Sequence, residues 1–180
     1  MPRVGVTGHR KLADVAAVEA GIEIALAAIA VRFPEPPWRV FSSLAEGSDR
    51  IAARHVLDRP HARFDARLVA VLPLPPLDYM TDFESQQSKE EFLDLLRAAE
   101  SVVELPPRNS RNEAYEQAGR YVAEHSEVLL AVWDGLPARG RGGAAEIVEY
   151  ARSLGKPICH VWVGTDASHE HPPVDYFNFG

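Results

Sequence analysis

Five polar turns interrupt the apolar runs of this chain, and their residue types suit anion chemistry. The first is Val4-Gly-Val-Thr-Gly-His-Arg10. Gly8 permits a sharp turn, and Thr7, His9 and Arg10 then present a hydroxyl, an imidazole and a guanidinium. A tight turn with a solvated arginine is the competing reading. The glycine spacing differs from that of the dinucleotide fingerprint, which needs three glycines at the turn. The second turn is Ser42-Ser-Leu-Ala-Glu-Gly-Ser-Asp49. Ser42, Ser43, Gly47 and Ser48 stand between a strand and a helix start, where backbone N–H groups and hydroxyls favour a phosphate. Asp49 reads as an N-cap rather than a ligand contact. Glu46 either meets a ribose hydroxyl or is solvated. The third turn, Leu72–Tyr79 followed by Asp82, is a proline-stiffened loop. Its exposed aromatic walls a pocket, or the segment is only a connection.

The last two turns act together. Trp133-Asp134-Gly135 ends an apolar run, and Arg139-Gly-Arg-Gly142-Gly143 opens a helix carrying Glu146. Glycines and arginines before a helix suit an anion. Glu146, one turn in, orients a ribose, assists cleavage of a glycosidic bond, or complements the helix dipole. Arg108, Arg111 and Tyr115 stand at another helix start, within reach of a phosphate or simply solvated. His169 and His171 read as solvated tail residues, and Cys159 as buried packing. Nothing in the pattern calls for a metal or a cofactor.

The elements that must hold these turns alternate between strand and helix periodicity. Arg3–Thr7, Trp38–Ser42, Arg67–Leu72, Val102–Leu105, Val128–Val132 and Pro157–Val163 read as strands. Helical spacing appears at Val15–Phe33 with Asp14 as N-cap, from Ser48 to about Leu57, and at Phe92–Ala99. It recurs at Tyr115–Val122 and Ile147–Leu154, where Gly155 is the natural C-cap. About six strands and five helices in alternation predict a Rossmann-like three-layer α/β fold with a mainly parallel sheet. Ligands bind such sheets at the C-terminal strand ends. Thr7, Gly8, Ser43, Gly47, Gly142 and Gly143 should therefore surround one cleft. Residues 1–164 form the domain, and 165–180 read as an irregular tail.

Composition agrees with one globular domain. The 180 residues are 46% apolar and 25% charged, and the net charge is −7. That balance weighs against nucleic acid held by bulk charge. A single cysteine excludes an internal disulfide and fits a reduced, cytoplasmic setting. The start enters a strand pattern directly, so no secretory signal is expected. No apolar run reaches the ~18–20 residues of a membrane span.

The turns at 4–10 and 42–49, with Trp133–Gly135 and Gly142-Gly-Ala-Ala-Glu146, resemble the SLOG superfamily, a Rossmann-like group named for the Smf and LOG (Lonely guy) proteins. The likeness spans roughly residues 3–163. The second turn is similar to the Ser-Gly-Leu-Ala-x-Gly-Ile-Asp stretch of the Smf branch, with Ser43 and Ser48 where that branch has glycine and isoleucine. The last resembles the Pro-Gly-Gly-x-Gly-Thr-x-Glu stretch of the LOG branch, with Ala144 in place of threonine. The resemblance implies a pocket for a nucleotide or a nucleotide-derived, ADP-ribose-like ligand, and a homodimer. It also implies two further activities. One is nucleoside 5′-monophosphate phosphoribohydrolysis with Glu146 as the catalytic carboxylate, and the other is a partnership with single-stranded DNA. Binding or sensing of a nucleotide-like ligand is the leading expectation.

Overall fold

The computed structural model describes residues 1–57, 65–137, 141–164 and 174–179. Among them are seven strands: β1 (Arg3–Gly8), β2 (Trp38–Ser42), β3 (Ala66–Leu72), β4 (Ser101–Glu104), β5 (Val128–Trp133), β6 (Ile158–Trp162) and β7 (Val174–Phe177). The helices are α1 (Val15–Arg32), α2 (Ser48–Leu57), α3 (Pro76–Tyr79), α4 (Gln86–Ala98), α5 (Arg111–His125) and α6 (Ala144–Ser153), with a 3₁₀ turn at Met80–Asp82. All seven strands form one sheet in the order β4-β3-β2-β1-β5-β6-β7. Every pairing is parallel except β6 with β7.

Alternation along the strands sorts side chains between two helical layers. On β5, Val128, Leu130 and Val132 face a core shared with α1 and α2. Leu129, Ala131 and Trp133 face α5 and α6. On β3, Leu68, Ala70 and Leu72 pack with Ala53 of α2 and with Phe92 and Leu95 of α4. The result is α1, α2 and α4 on one face and α5 and α6 on the other. Every residue of β5 is buried, as the long apolar run requires of a central parallel strand. Cys159 is likewise buried, and desolvation pushes its thiol up to about 12, which fits packing rather than reactivity. His160 stacks beside Trp133 and Trp162, with Nε2 2.8 Å from the Trp133 carbonyl oxygen. Burial lowers its pKa.

Caps follow the sequence closely. Asp14 accepts a bond from Ala17 N–H at the start of α1, and Gly155 follows α6 with a φ of +67°. Two expectations need correction. Residues 174–177 are not irregular: they form β7, antiparallel to β6, with Val174 opposite Val161. Val174 packs into the core beneath α1, so the strand is held by its side chain as well as its ladder. The proline-rich segment after β3 also contains α3, where Pro76 fits the first helical turn because its missing N–H is not needed there. Arg139, His169 and His171 lie outside the described residues.

No described helix is long and apolar enough to cross a membrane.

Candidate functional site

Strand order reverses between β1 and β5. The chain moves outward from β1 through β2, β3 and β4, then returns through α5 to β5 on the other side of β1. Open α/β sheets leave a crevice at such a point, outside the C-terminal strand ends. A cleft of about 220 Å³ lies there. It is lined by Thr7, Gly8, His9 and Arg10 after β1, Ser43 and Asp49 after β2, and Pro73 and Tyr79 after β3. Tyr115 and Gly119 of α5 and Gly142, Gly143 and Ala144 at the head of α6 complete the wall. Seven of the expected residues thus meet: Thr7, Gly8, His9, Arg10, Ser43, Gly142 and Gly143.

Other expected residues build the site without lining it. Gly47 has a φ of +81°, and a Cβ there would stand 2.3 Å from the Arg10 carbonyl oxygen. Only glycine lets the second turn lie this close under the first. Ser48 fastens the same contact, its hydroxyl donating to the His9 carbonyl oxygen at 2.8 Å. Ser42 is buried, and its hydroxyl accepts the Leu44 N–H. Asp134 holds the His9 ring. Its backbone N–H lies 3.2 Å from Nε2, and its carboxylate Oδ1 lies 3.3 Å from the same nitrogen. The N–H donates to Nε2 where that nitrogen carries its lone pair, and the carboxylate accepts from it where it carries hydrogen. Gly135 packs on the Trp162 ring.

Arg10 is the prominent cation of the cleft. Its guanidinium lies 4.6 Å from the centre of the Tyr115 ring. Among the described residues, no carboxylate lies within ion-pair distance of it. An aromatic face steadies the group without neutralising it. The glycine loop opposite is held down firmly. Gly142 has a φ of +76°, and a Cβ there would stand 2.8 Å from Tyr115 Cβ and 2.9 Å from Glu116 N. Glu146, third residue of α6, accepts the Gly142 N–H through Oε2 at 2.7 Å. This is close to a capping box, in which a side chain one turn inside a helix reaches back to the entering backbone. Its Oε1 lies 3.8 Å from Arg120. Glu146 therefore supports the loop from outside the cleft lining.

Two wall residues differ from their sequence readings, Asp49 in its role and Tyr79 in its burial. Asp49 is not an N-cap: it lies inside α2, is only 5% exposed, and turns its carboxylate back onto its own turn. Oδ2 accepts the Ser43 N–H at 3.1 Å and the Ser42 hydroxyl at 3.3 Å. Desolvation raises its pKa to about 6, against the opposing pull of Arg10 and these hydrogen bonds. Tyr79, which reads as exposed in the sequence, is buried among Phe83, Phe92 and Tyr115, with ring centres 5.0, 5.7 and 6.2 Å away. Its position in a proline-rich stretch conceals the short helix that turns it inward.

The other candidate cations among the described residues are occupied. Arg111 bonds to Asp78 at 2.9 Å and to Asp82 at 3.0 Å, and the Tyr115 hydroxyl donates to Asp82. Arg108 donates to Gln117. A larger, open groove of about 480 Å³ runs along α5, but Arg120 and Arg141 there already pair with Glu113 and Glu116. Glu46 accepts from Glu84 N–H and the Ser88 hydroxyl rather than facing the cleft. No protein-family model matches the chain, and no curated protein matches it.

Proposed function

We propose that the chain is a binding or sensing module for a nucleotide or nucleotide-derived ligand, whose phosphate lies between Arg10 and the glycine loop. The observation that carries this reading is Arg10, a cation stacked on Tyr115 with no described carboxylate within ion-pair distance, at the switch point of the sheet. Gly142 and Gly143 stand opposite, where α6 begins and its positive end favours an anion. The resemblance of these turns to the SLOG superfamily points to the same class of ligand. Glu146 supports binding over hydrolysis, because its oxygens face Gly142 N–H and Arg120 rather than the cleft.

Titration calorimetry with nucleoside monophosphates and ADP-ribose tests the proposal, together with mass spectrometry of small molecules retained through purification. Arg10→Ala should weaken binding by about 10–100-fold, the size of a lost charge-assisted hydrogen bond. Equal affinity in wild type and variant would defeat it, as would a lack of millimolar binding by any of these ligands. Free base released at about 1 s⁻¹ or faster would favour the hydrolase instead.

A further inference from the structure

An anion site does not explain Asp49. This carboxyl lines the same cleft as Arg10, is 5% exposed, and has no cation within ion-pair distance among the described residues. Its partners are the Ser42 hydroxyl and the backbone N–H groups of Ser43 and Ala45, all on its own turn. A carboxylate offers about four acceptor positions, so this set leaves capacity toward the cleft. A bare phosphate held by Arg10 would meet a like charge across a narrow space. A ligand that places hydroxyl donors beside its phosphate would convert that repulsion into hydrogen bonds. Size points the same way. About 220 Å³ falls below the ~300–1,000 Å³ of cavities that enclose drug-sized ligands. It suits a phosphorylated sugar, with any larger substituent lying outside.

We propose that Asp49 is a specificity-determining residue, which accepts hydrogen bonds from the hydroxyls of a phosphorylated sugar and so selects it over phosphate esters lacking hydroxyls. The inference rests on the proposed reading of the cleft as a phosphate site. The titratable groups around Asp49 are His9 and Arg10 after β1, Tyr79 on α3 and Tyr115 on α5. Burial pushes both tyrosines upward, so they stay neutral hydroxyls near neutral pH.

The experiment compares ribose 5-phosphate with methyl phosphate by titration calorimetry. Both are phosphomonoesters, so ionisation of the phosphate largely cancels in the ratio of affinities. Wild type should prefer ribose 5-phosphate by about tenfold or more at pH 7.5, the range of a hydrogen bond to a charged group. At pH 5 the preference should shrink as Asp49 takes up a proton. Asp49→Asn should bring the ratio within about threefold at both pH values, with methyl phosphate bound at least as tightly as by wild type. A merely structural role for Asp49 would weaken both ligands together and leave their ratio intact, which would overturn the inference. Equal binding of both ligands by wild type would overturn it too, while leaving the phosphate site standing. If neither ligand binds, the phosphate reading falls and takes this one with it. Should Asp49→Asn not fold, the wild-type ratio at the two pH values decides: a ratio unchanged by pH counts against Asp49.

Discussion

Asp49 places a cost on the fold. A carboxyl whose folded pKa lies near 6, against 3.8 in the unfolded chain, binds protons more tightly when folded. Stability from this group is complete below about pH 3.8 and is lost as pH rises through 6. At pH 8 the deficit is on the order of 2–3 kcal/mol, because each tenfold difference in proton affinity between the two states is worth about 1.4 kcal/mol. Asp49→Asn should therefore raise the urea midpoint at pH 8 by clearly more than at pH 4.5. An equal change at both pH values would contradict the burial account. His160 acts with the opposite sign, since burial lowers its pKa and its contribution is lost as pH falls. Comparing variant with wild type at each pH removes that background. Residue by residue, the sequence exposes what is local. Thr7, Gly8 and Arg10 follow from a glycine turn at a strand end. The inward carboxylate of Asp49 and the burial of Tyr79 do not, because an aspartate at a helix start and a tyrosine among prolines have ordinary local explanations. Only the tertiary fold turns them inward.

Among the elements, α6 and its glycine loop behave as one unit. Glu146 ties the Gly142 N–H to the first turn, and Gly142 rests against α5 at Tyr115 and Glu116. Glu146→Ala removes a bond to a charged group and should lower stability by about 1–2 kcal/mol in urea unfolding. Ligand affinity should fall several-fold with it, because the loop loses its support. Glu146→Gln keeps an acceptor and should fall between wild type and alanine in both measurements. Loss of turnover with intact binding in that variant would instead assign Glu146 a catalytic role. Most elements are legible from periodicity: β2 matches its expected bounds, and α1 begins at the expected cap. The omissions, α3 and β7, have four residues each. α3 is barely one turn, too short for a 3.6-residue period, and β7 buries only its first residue, so it shows no alternation. Val174 reveals itself as a core residue only when the sheet supplies β6 beside it.

For the molecule as a whole, acidic groups exceed basic ones by seven, and Arg111, Arg120 and Arg141 along α5 are already paired with carboxylates. Single-stranded DNA should accordingly bind no more tightly than the ~10⁻⁴–10⁻⁶ M range of nonspecific association at physiological salt. Fluorescence anisotropy of a labelled oligonucleotide checks this, and sub-micromolar affinity would move the DNA-binding role to the front. The switch point has a further consequence, in the order of assembly. β1 meets β2 after a short excursion, but its other neighbour is distant: Val4 pairs with Val128. Closing so long a loop costs entropy before any contact offsets it. The first four strands can associate while the chain from β5 onward is still loose. Arg10 and Asp49 belong to that early half, and the glycine loop to the late one. The cleft thus comes into being only when the second half docks against β1. A ligand that spans it then acts as a clasp on the finished protein, slowing its opening without hastening its formation.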